Sequence, residues 1–392
     1  MKLQVKVDAQ RDEKISSFLA ERIAAGDFPS AVYAVGAGAS IIFADALGHA
    51  VRSGAEQYLA TLETIYDLAS LTKPLITGLL CARRVERGEM LLDEAVSRVL
   101  PEFARADKRS ITLRHLLTHT SGLPAWRPLY ITTGGDLKRA LQSIADEPLE
   151  SAPGSRVTYS DLGFITLGFL LERIEGAQFA DIARREIFDA LKLRRTFMIP
   201  DQAMRTEAAA CETGNLYERQ MCEGMNASID GHWREHLIWG EVHDGNAHFL
   251  GGAAGHAGLF STVSETFRLA QQFLPAYTEL LKPETCALFR ADMTEGMEEA
   301  RSVGWQLAAT KDSTAGPRLP PDSFGHLGFT GTSCWNDPAR ERTFILLTNR
   351  THARTLPFVN INSVRRQFHT LAVDALDGRD AGVRGRMDAA KD

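Results

Sequence analysis

The chain carries five cysteines (Cys81, Cys211, Cys222, Cys286 and Cys334) and no Cys-x-x-Cys pair. An odd set without paired spacing fits neither a disulfide framework nor a thiolate metal site, and points to a reducing, cytoplasmic setting. No stretch approaches the ~18 apolar residues of a membrane span. The opening MKLQVKVDAQRDEKISSFL has no apolar core followed by a small-residue cleavage site, so it reads as no signal peptide. The net charge of −6 is spread along 392 residues without a basic patch, which argues against a nucleic-acid partner. Gly-x-Ser-x-Gly is absent, against an α/β-hydrolase elbow. A Walker loop and a Gly-x-Gly-x-x-Gly after a strand are missing as well. His115/His119 and His232/His236 are i, i+4 pairs, and His243 and His248 are close neighbours. None forms His-Glu-x-x-His, and no cysteine or acid completes a tetrahedral set, so neither metal nor cofactor is expected.

What is present is ordinary globular composition, 44% hydrophobic and 24% charged, over a length that buries a sizeable core. Residues 10–25 repeat apolar side chains at helical spacing and stop near Gly26. SAVYAVGAGASIIFADALGHAV then reads as a β-hairpin broken at Gly36 and Gly38. Helical patterns and loops dominate 66–254, including TLRHLLTHTSGL and DLGFITLGFLLERIEG, and Thr262 to Glu265 reads as a capping box. Strand signals return at 324–335 and 342–349, before a last helix over roughly 361–376. Strands at both ends with helices between predict one sheet assembled from the two chain ends, flanked by helices, with a helical insertion. The tail 377–392 is charged and is expected to be flexible.

The most informative stretch is YDLASLTKPLITGLL, residues 66–80. Pro74 lacks an N–H and clashes with the carbonyl four residues back, so a helix must begin within a residue or two of Ser70. Helix starts offer free N–H groups and a positive dipole end. At i, i+3 the Lys73 ammonium reaches the Ser70 hydroxyl, an arrangement suited to nucleophilic acyl transfer. With ten lysines and twenty-one serines, about half a Ser-x-x-Lys match arises by chance, so Ser70 as a simple N-cap is the competing reading.

Two further stretches carry chemistry. In APGSRVTYSDLGF (152–164), Tyr159 sits on a loop before a helix, placed for proton transfer, and Asp161 either caps that helix or joins the site. In GHLGFTGTS (325–333), period-2 alternation puts His326, Gly328 and Thr330 on one strand face, with Gly328 leaving room for a ligand.

In this order the three segments resemble the penicillin-recognising serine hydrolases, on the branch of class C β-lactamases, DD-peptidases and related esterases. The family motifs are Ser-x-x-Lys, Tyr-x-Asn and Lys-Thr-Gly, the last often His-x-Gly outside the lactamases. Here they read Ser70-Leu71-Thr72-Lys73, Tyr159-Ser160-Asp161 and His326-Leu327-Gly328; HLLTHTSGLP (115–124) and GHAGLFST (255–262) also resemble family segments. The likeness runs from about residue 12 to 370.

The resemblance implies an α+β fold in one domain over 12–372. An antiparallel sheet from about 12–65 and 255–372 would be flanked by helices, beside a helical region from about 66–254, with the site between them. It implies Ser70 as the acylated nucleophile, Lys73 as its activating partner and Tyr159 as the proton carrier. The backbone N–H groups of Ser70 and Phe329 would form the oxyanion hole, with Asp161, His326 and Gly328 in support.

Two departures shape the expected substrate. Asp161 replaces an amide and offers only acceptors, which favours a charged Lys73 and shifts the general base toward Tyr159. His326 replaces lysine; with an ordinary pKa of about 6.5 it is mostly uncharged, able to donate to a carbonyl but giving a carboxylate no fixed cation. The reading therefore leans to a small ester or amide. GEVHDGNAHFLGGAAGHAGLFS (240–261) further resembles the branch with N-acetylmuramyl-L-alanine amidases, which makes a muropeptide amidase, or a D-amino-acid peptidase or β-lactamase, the second reading. A non-catalytic penicillin sensor would be marked by loss of the motif serine, lysine or tyrosine, and all three stand.

Overall fold

A computed structural model describes residues 6–225 and 233–389. Its strands are β1 (Lys6–Gln10), β2 (Ser30–Ala37), β3 (Ser40–Ser53), β4 (Glu56–Leu59), β5 (Tyr66–Asp67), β6 (Phe260–Ser261), β7 (Gln306–Leu307), β8 (Phe324–Leu327), β9 (Ser333–Asp337) and β10 (Arg342–Thr348). The main sheet runs β1-β3-β2-β10-β9-β8-β7 with β4 on β3, while β5 and β6 pair apart from it. Both chain ends thus build one sheet. Its pairings are antiparallel except for β1, which lies parallel to β3 at the margin.

Side chains alternate across a strand, and here both faces are covered. Tyr33 and Val35 of β2 and Phe344 and Leu346 of β10 join a core with Ile15, Leu19 and Phe368 from the helices Glu13–Ala24 and Asn362–Ala389. Their neighbours Val32, Ala34, Ile345 and Leu347 face the larger core, which continues into the helical region through Phe267, Leu75 and Leu167. The closing helix extends well beyond residue 376, where the sequence pattern ended it; residues 390–392 lie outside the described residues. No helix among the described residues is long and apolar enough to cross a membrane.

Three local expectations are corrected. The apolar run at 324–335 is two strands: Gly328 N–H donates to Thr332 O at 2.9 Å and Gly331 N–H to Gly328 O at 3.1 Å, closing a turn. Gly331 has φ +111°, a backbone that other residues rarely adopt, and an added Cβ there would overlap Thr348 Oγ1. Gly328 and Thr330 therefore do not continue the strand face of His326. The helix expected through TLRHLLTHTSGL stops at Leu117, and His119 is left-handed at φ +61°. Thr262 does cap its helix, but the Glu265 carboxylate turns away from the box to accept from Arg194 N, Arg195 N and Thr196 Oγ1.

Candidate active site

Ser70 lies where β5 passes into the helical region. A 3-10 turn, Ala69–Leu71, leads into a wide-turned stretch, Lys73–Gly78, in which Leu79 N–H reaches Pro74 O five residues back. An α-helix follows only at Leu79–Glu86. The regular helix expected at Ser70 is thus replaced: Pro74 has no N–H to give, and the chain widens past it. Asp67 pins the entry, Oδ1 accepting Ala69 N–H and Oδ2 accepting His243 N–H, both at 2.8 Å.

Lys73 is fully buried. Its Nζ donates to Ser70 Oγ at 2.9 Å and to the His256 carbonyl at 3.2 Å, and lies 2.7 Å from Asp161 Oδ1. It also stands 4.9 Å from the centre of the Tyr159 ring. Ser70 caps nothing; its hydroxyl serves the lysine.

Asp161 is not the helix cap. Ser160 fills that role, Oγ accepting Gly163 N–H at 3.1 Å and donating to Pro124 O at 2.7 Å, so the Asp161 carboxylate is free to face Lys73. The electrostatics follow from this pairing. Burial disfavours a charged lysine, but Asp161 and Tyr159 together outweigh it and raise the Lys73 pKa above its ordinary value. Burial likewise raises the Tyr159 phenol, an effect that Lys73 and Ser70 only partly offset. At neutral pH the arrangement holds an ammonium and a neutral phenol.

The third motif closes the opposite wall. Ser70, Tyr159, Asp161, His326, Gly328 and Phe329 line one cavity of about 530 Å³. A Cβ at Gly328 would overlap Thr332 Oγ1 and the Leu68 carbonyl, so no side chain fits there. Among the described residues, the N–H groups of Ser70 and Phe329 find no backbone acceptor. Arg365 Nη2 holds Gly328 O at 2.7 Å and Thr332 O at 3.0 Å. In a trans peptide the C=O and N–H point oppositely, so this grip on Gly328 O turns Phe329 N–H the other way.

His326 departs from the expectation of a donor. Its Nδ1 meets the Leu327 carbonyl at 2.8 Å, and a carbonyl only accepts, so Nδ1 carries the proton. Burial, then Lys73 and Arg301, hold its pKa well below the ordinary value. Nε2 is therefore a buried lone pair without a partner among the described residues, an acceptor rather than a donor.

Sequence reasoning missed the cations. Arg301, Arg350 and Arg365 all line the cavity. Arg301 is ion-paired with Glu299 at 2.6 Å and stands 5.6 Å over the Tyr159 ring. Arg350 donates to Phe329 O at 2.8 Å and lies over the Phe329 ring at 4.8 Å. None belongs to a local pattern that marks it. Also missed were two buried pairs at the cavity wall, where His243 meets Glu212 and His256 meets Asp244, each at 2.8 Å. Burial disfavours the His243 cation, but Glu212 outweighs it and raises the pKa. Glu218, in the cavity wall, is raised by burial to about 7.

The histidines of the i, i+4 pairs and His248 are used elsewhere: His115 Nδ1 accepts Thr112 N–H, His119 Nδ1 accepts Ser160 N–H, and His236 and His248 both face Glu241. His232 lies outside the described residues. Among those described, no group of three or more His, Cys, Asp or Glu side chains fits a metal ion.

A serine, lysine and tyrosine in one cleft between a sheet and a helical region define a serine hydrolase of the penicillin-binding-protein and β-lactamase fold. The chain belongs to the family described as Beta-lactamase, whose model matches residues 15–363. It is 30% identical over 387 residues, 92% of this chain and 87% of the relative, to a protein of Salmonella agona (strain SL483) named as a D-alanyl-D-alanine carboxypeptidase. An Escherichia coli (strain K12) protein of the same name is 30% identical over 316 residues, covering 75% of this chain and 71% of its own. Among solved structures, a penicillin-binding protein homologue from Caulobacter crescentus shares the fold with TM-score 0.71 at 19% identity, over 94% of this chain and 100% of that one. EstCE1, a hydrolase with promiscuous acyltransferase activity, does so with TM-score 0.69 at 22% identity, over 91% and 97%.

Proposed function

We propose that the protein hydrolyses a small ester or amide through an acyl-enzyme on Ser70. The observation that carries this is the placement of Lys73 Nζ between Ser70 Oγ and Asp161 Oδ1, beneath the Tyr159 ring. A lysine held charged cannot take the serine proton, and a phenol held neutral is no standing base. The two still work together as a relay. Tyr159 oxygen takes the proton of Ser70 as it passes its own to the leaving group, so no resting phenolate is needed. Charged Lys73 stabilises the negative charge passing through Ser70 Oγ and the phenol oxygen. Ser70 N–H and Phe329 N–H would receive the carbonyl oxygen as it becomes an oxyanion, each donor worth roughly 3 kcal/mol of barrier. Deacylation runs the relay in reverse, with water in the leaving group's place.

A second reading is cleavage of peptides ending in D-alanine. The relatives' name and the three cavity arginines, which suit a terminal carboxylate, favour it. Intact-mass detection of an adduct on Ser70 tests both, across short-chain esters, β-lactams, muropeptides and D-alanyl-D-alanine peptides. Adducts from esters alone support the first reading, adducts from the D-alanyl peptides the second, and no adduct from any of them sinks both.

A further inference from the structure

Tyr159 sits on a loop, yet the relay demands that its oxygen hold position against Ser70. Loops earn such precision only from specific contacts. Two of these come from a single residue. Thr158 N–H, just before the tyrosine, donates to the His119 carbonyl at 2.8 Å, and Ser160 N–H, just after it, donates to His119 Nδ1 at 3.0 Å. The same imidazole packs on the tyrosine ring with centroids 4.5 Å apart, and on Phe164 at 5.0 Å. Asp161 N–H, one residue further on, is held separately by Ala125 O at 2.8 Å.

The ring's protonation state follows from these bonds. A peptide N–H only donates, so Nδ1 must be an unprotonated acceptor and the proton must sit on Nε2. Nε2 is buried without a partner among the described residues, and the whole residue is 1% exposed. Burial first, then Arg301, Lys73 and His326, keep the imidazole from charging. The acceptor is therefore always available. His119 also has φ +61°, a left-handed backbone in which asparagine is at ease and bulkier residues are not.

We infer that His119 is the positioning residue of Tyr159, its carbonyl and its imidazole fixing the peptide on each side of the tyrosine while its ring backs the phenol. The inference rests on the reading of Tyr159 as the proton relay. It sets His119 apart from a mere packing residue, because its effect must pass through the tyrosine.

The test compares His119→Phe, His119→Asn, Tyr159→Phe and the double variant His119→Phe/Tyr159→Phe, using a short-chain nitrophenyl ester and fluorophosphonate labelling of Ser70. His119→Phe keeps a ring but gives Ser160 N–H no acceptor. Its kcat should fall by about tenfold to a hundredfold with KM nearly unchanged, as for a misplaced relay. His119→Asn returns an acceptor oxygen to the place of Nδ1 and should recover kcat to within about threefold of wild type. The double variant should be no slower than Tyr159→Phe, since residues acting through one another lose activity once. An unchanged kcat in His119→Phe, or a double loss equal to the product of the singles, overturns the inference. Should His119→Phe fail to fold, His119→Asn decides: a native melting temperature with activity as low as Tyr159→Phe overturns it, and near-native turnover supports it. Wild-type protein that is neither labelled at Ser70 nor active on the ester overturns the serine–tyrosine reading, and the inference with it.

Discussion

Asp161 Oδ1 lies 2.7 Å from Lys73 Nζ, a carboxylate 19% exposed against an ammonium that is entirely buried. The pair sets the charge of the site and makes the pH profile diagnostic. Asp161→Asn removes the strongest influence raising the Lys73 pKa and leaves burial, opposed only by Tyr159, to lower it. Because the relay works with charged Lys73, activity is held below that pKa and lost as pH rises through it. The alkaline limb of kcat/KM should therefore move to lower pH in the variant. A rate that instead rises at neutral pH would show neutral lysine to be the base.

Ser70→Ala should abolish fluorophosphonate labelling and cut turnover by about a thousandfold or more, as expected when a nucleophile is removed. Peptide mapping of the labelled wild type should find the adduct on Ser70. Label on Ser121 or Ser160 would refute the assignment.

Lys73→Ala and Tyr159→Phe should each be severe, and together little worse than the more damaging one, because the two act as one proton-transfer unit. Kinetics of the three variants on one ester give the answer. Independent factors that multiply would separate their roles.

His326→Lys should raise the ratio of kcat/KM for a chromogenic cephalosporin over that for a short-chain ester by about tenfold or more, since a charged donor replaces an Nε2 lone pair that can give a carboxylate no hydrogen bond. It should also lower the melting temperature, since it buries one more cation near Lys73 and Arg301. An unchanged ratio would assign carboxylate recognition to the cavity arginines.

Turnover should survive prolonged dialysis against a chelator, given that no cluster of ligands among the described residues fits a metal. Loss of activity restored by Zn²⁺ would contradict the serine mechanism.

Much of the site could be read from local spacing. Ser70 and Lys73 are one turn apart, so their contact needed no tertiary knowledge, and the Pro153-Gly154 turn placed Tyr159 on a loop. Where two neighbours compete for one local role, pattern is silent. Ser160 and Asp161 are both good caps, and only the packed helix shows that serine took the cap and left the carboxylate for Lys73. The His326 strand face failed for a similar reason, since the turn at Gly331 interrupts an apolar run that reads as continuous. Arg301, Arg350 and Arg365 were illegible because each comes from a separate stretch of chain and meets the others only across the folded cavity. The sheet order was legible only as chain ends meeting, and the parallel β1 carried no signal that distinguishes it.

The place of β2 between β3 and β10 also bears on synthesis. As the chain leaves the ribosome, β3 follows at once, whereas the partner of its other side, Arg342–Thr348 against Ala31–Ala37, emerges only after the whole helical region has been made. Until then the apolar run Ala31-Val32-Tyr33-Ala34-Val35 presents an unpaired edge, the kind that templates wrong pairing between nascent chains. A nonsense product ending before Arg342 is then a seed for aggregation instead of a weakened enzyme.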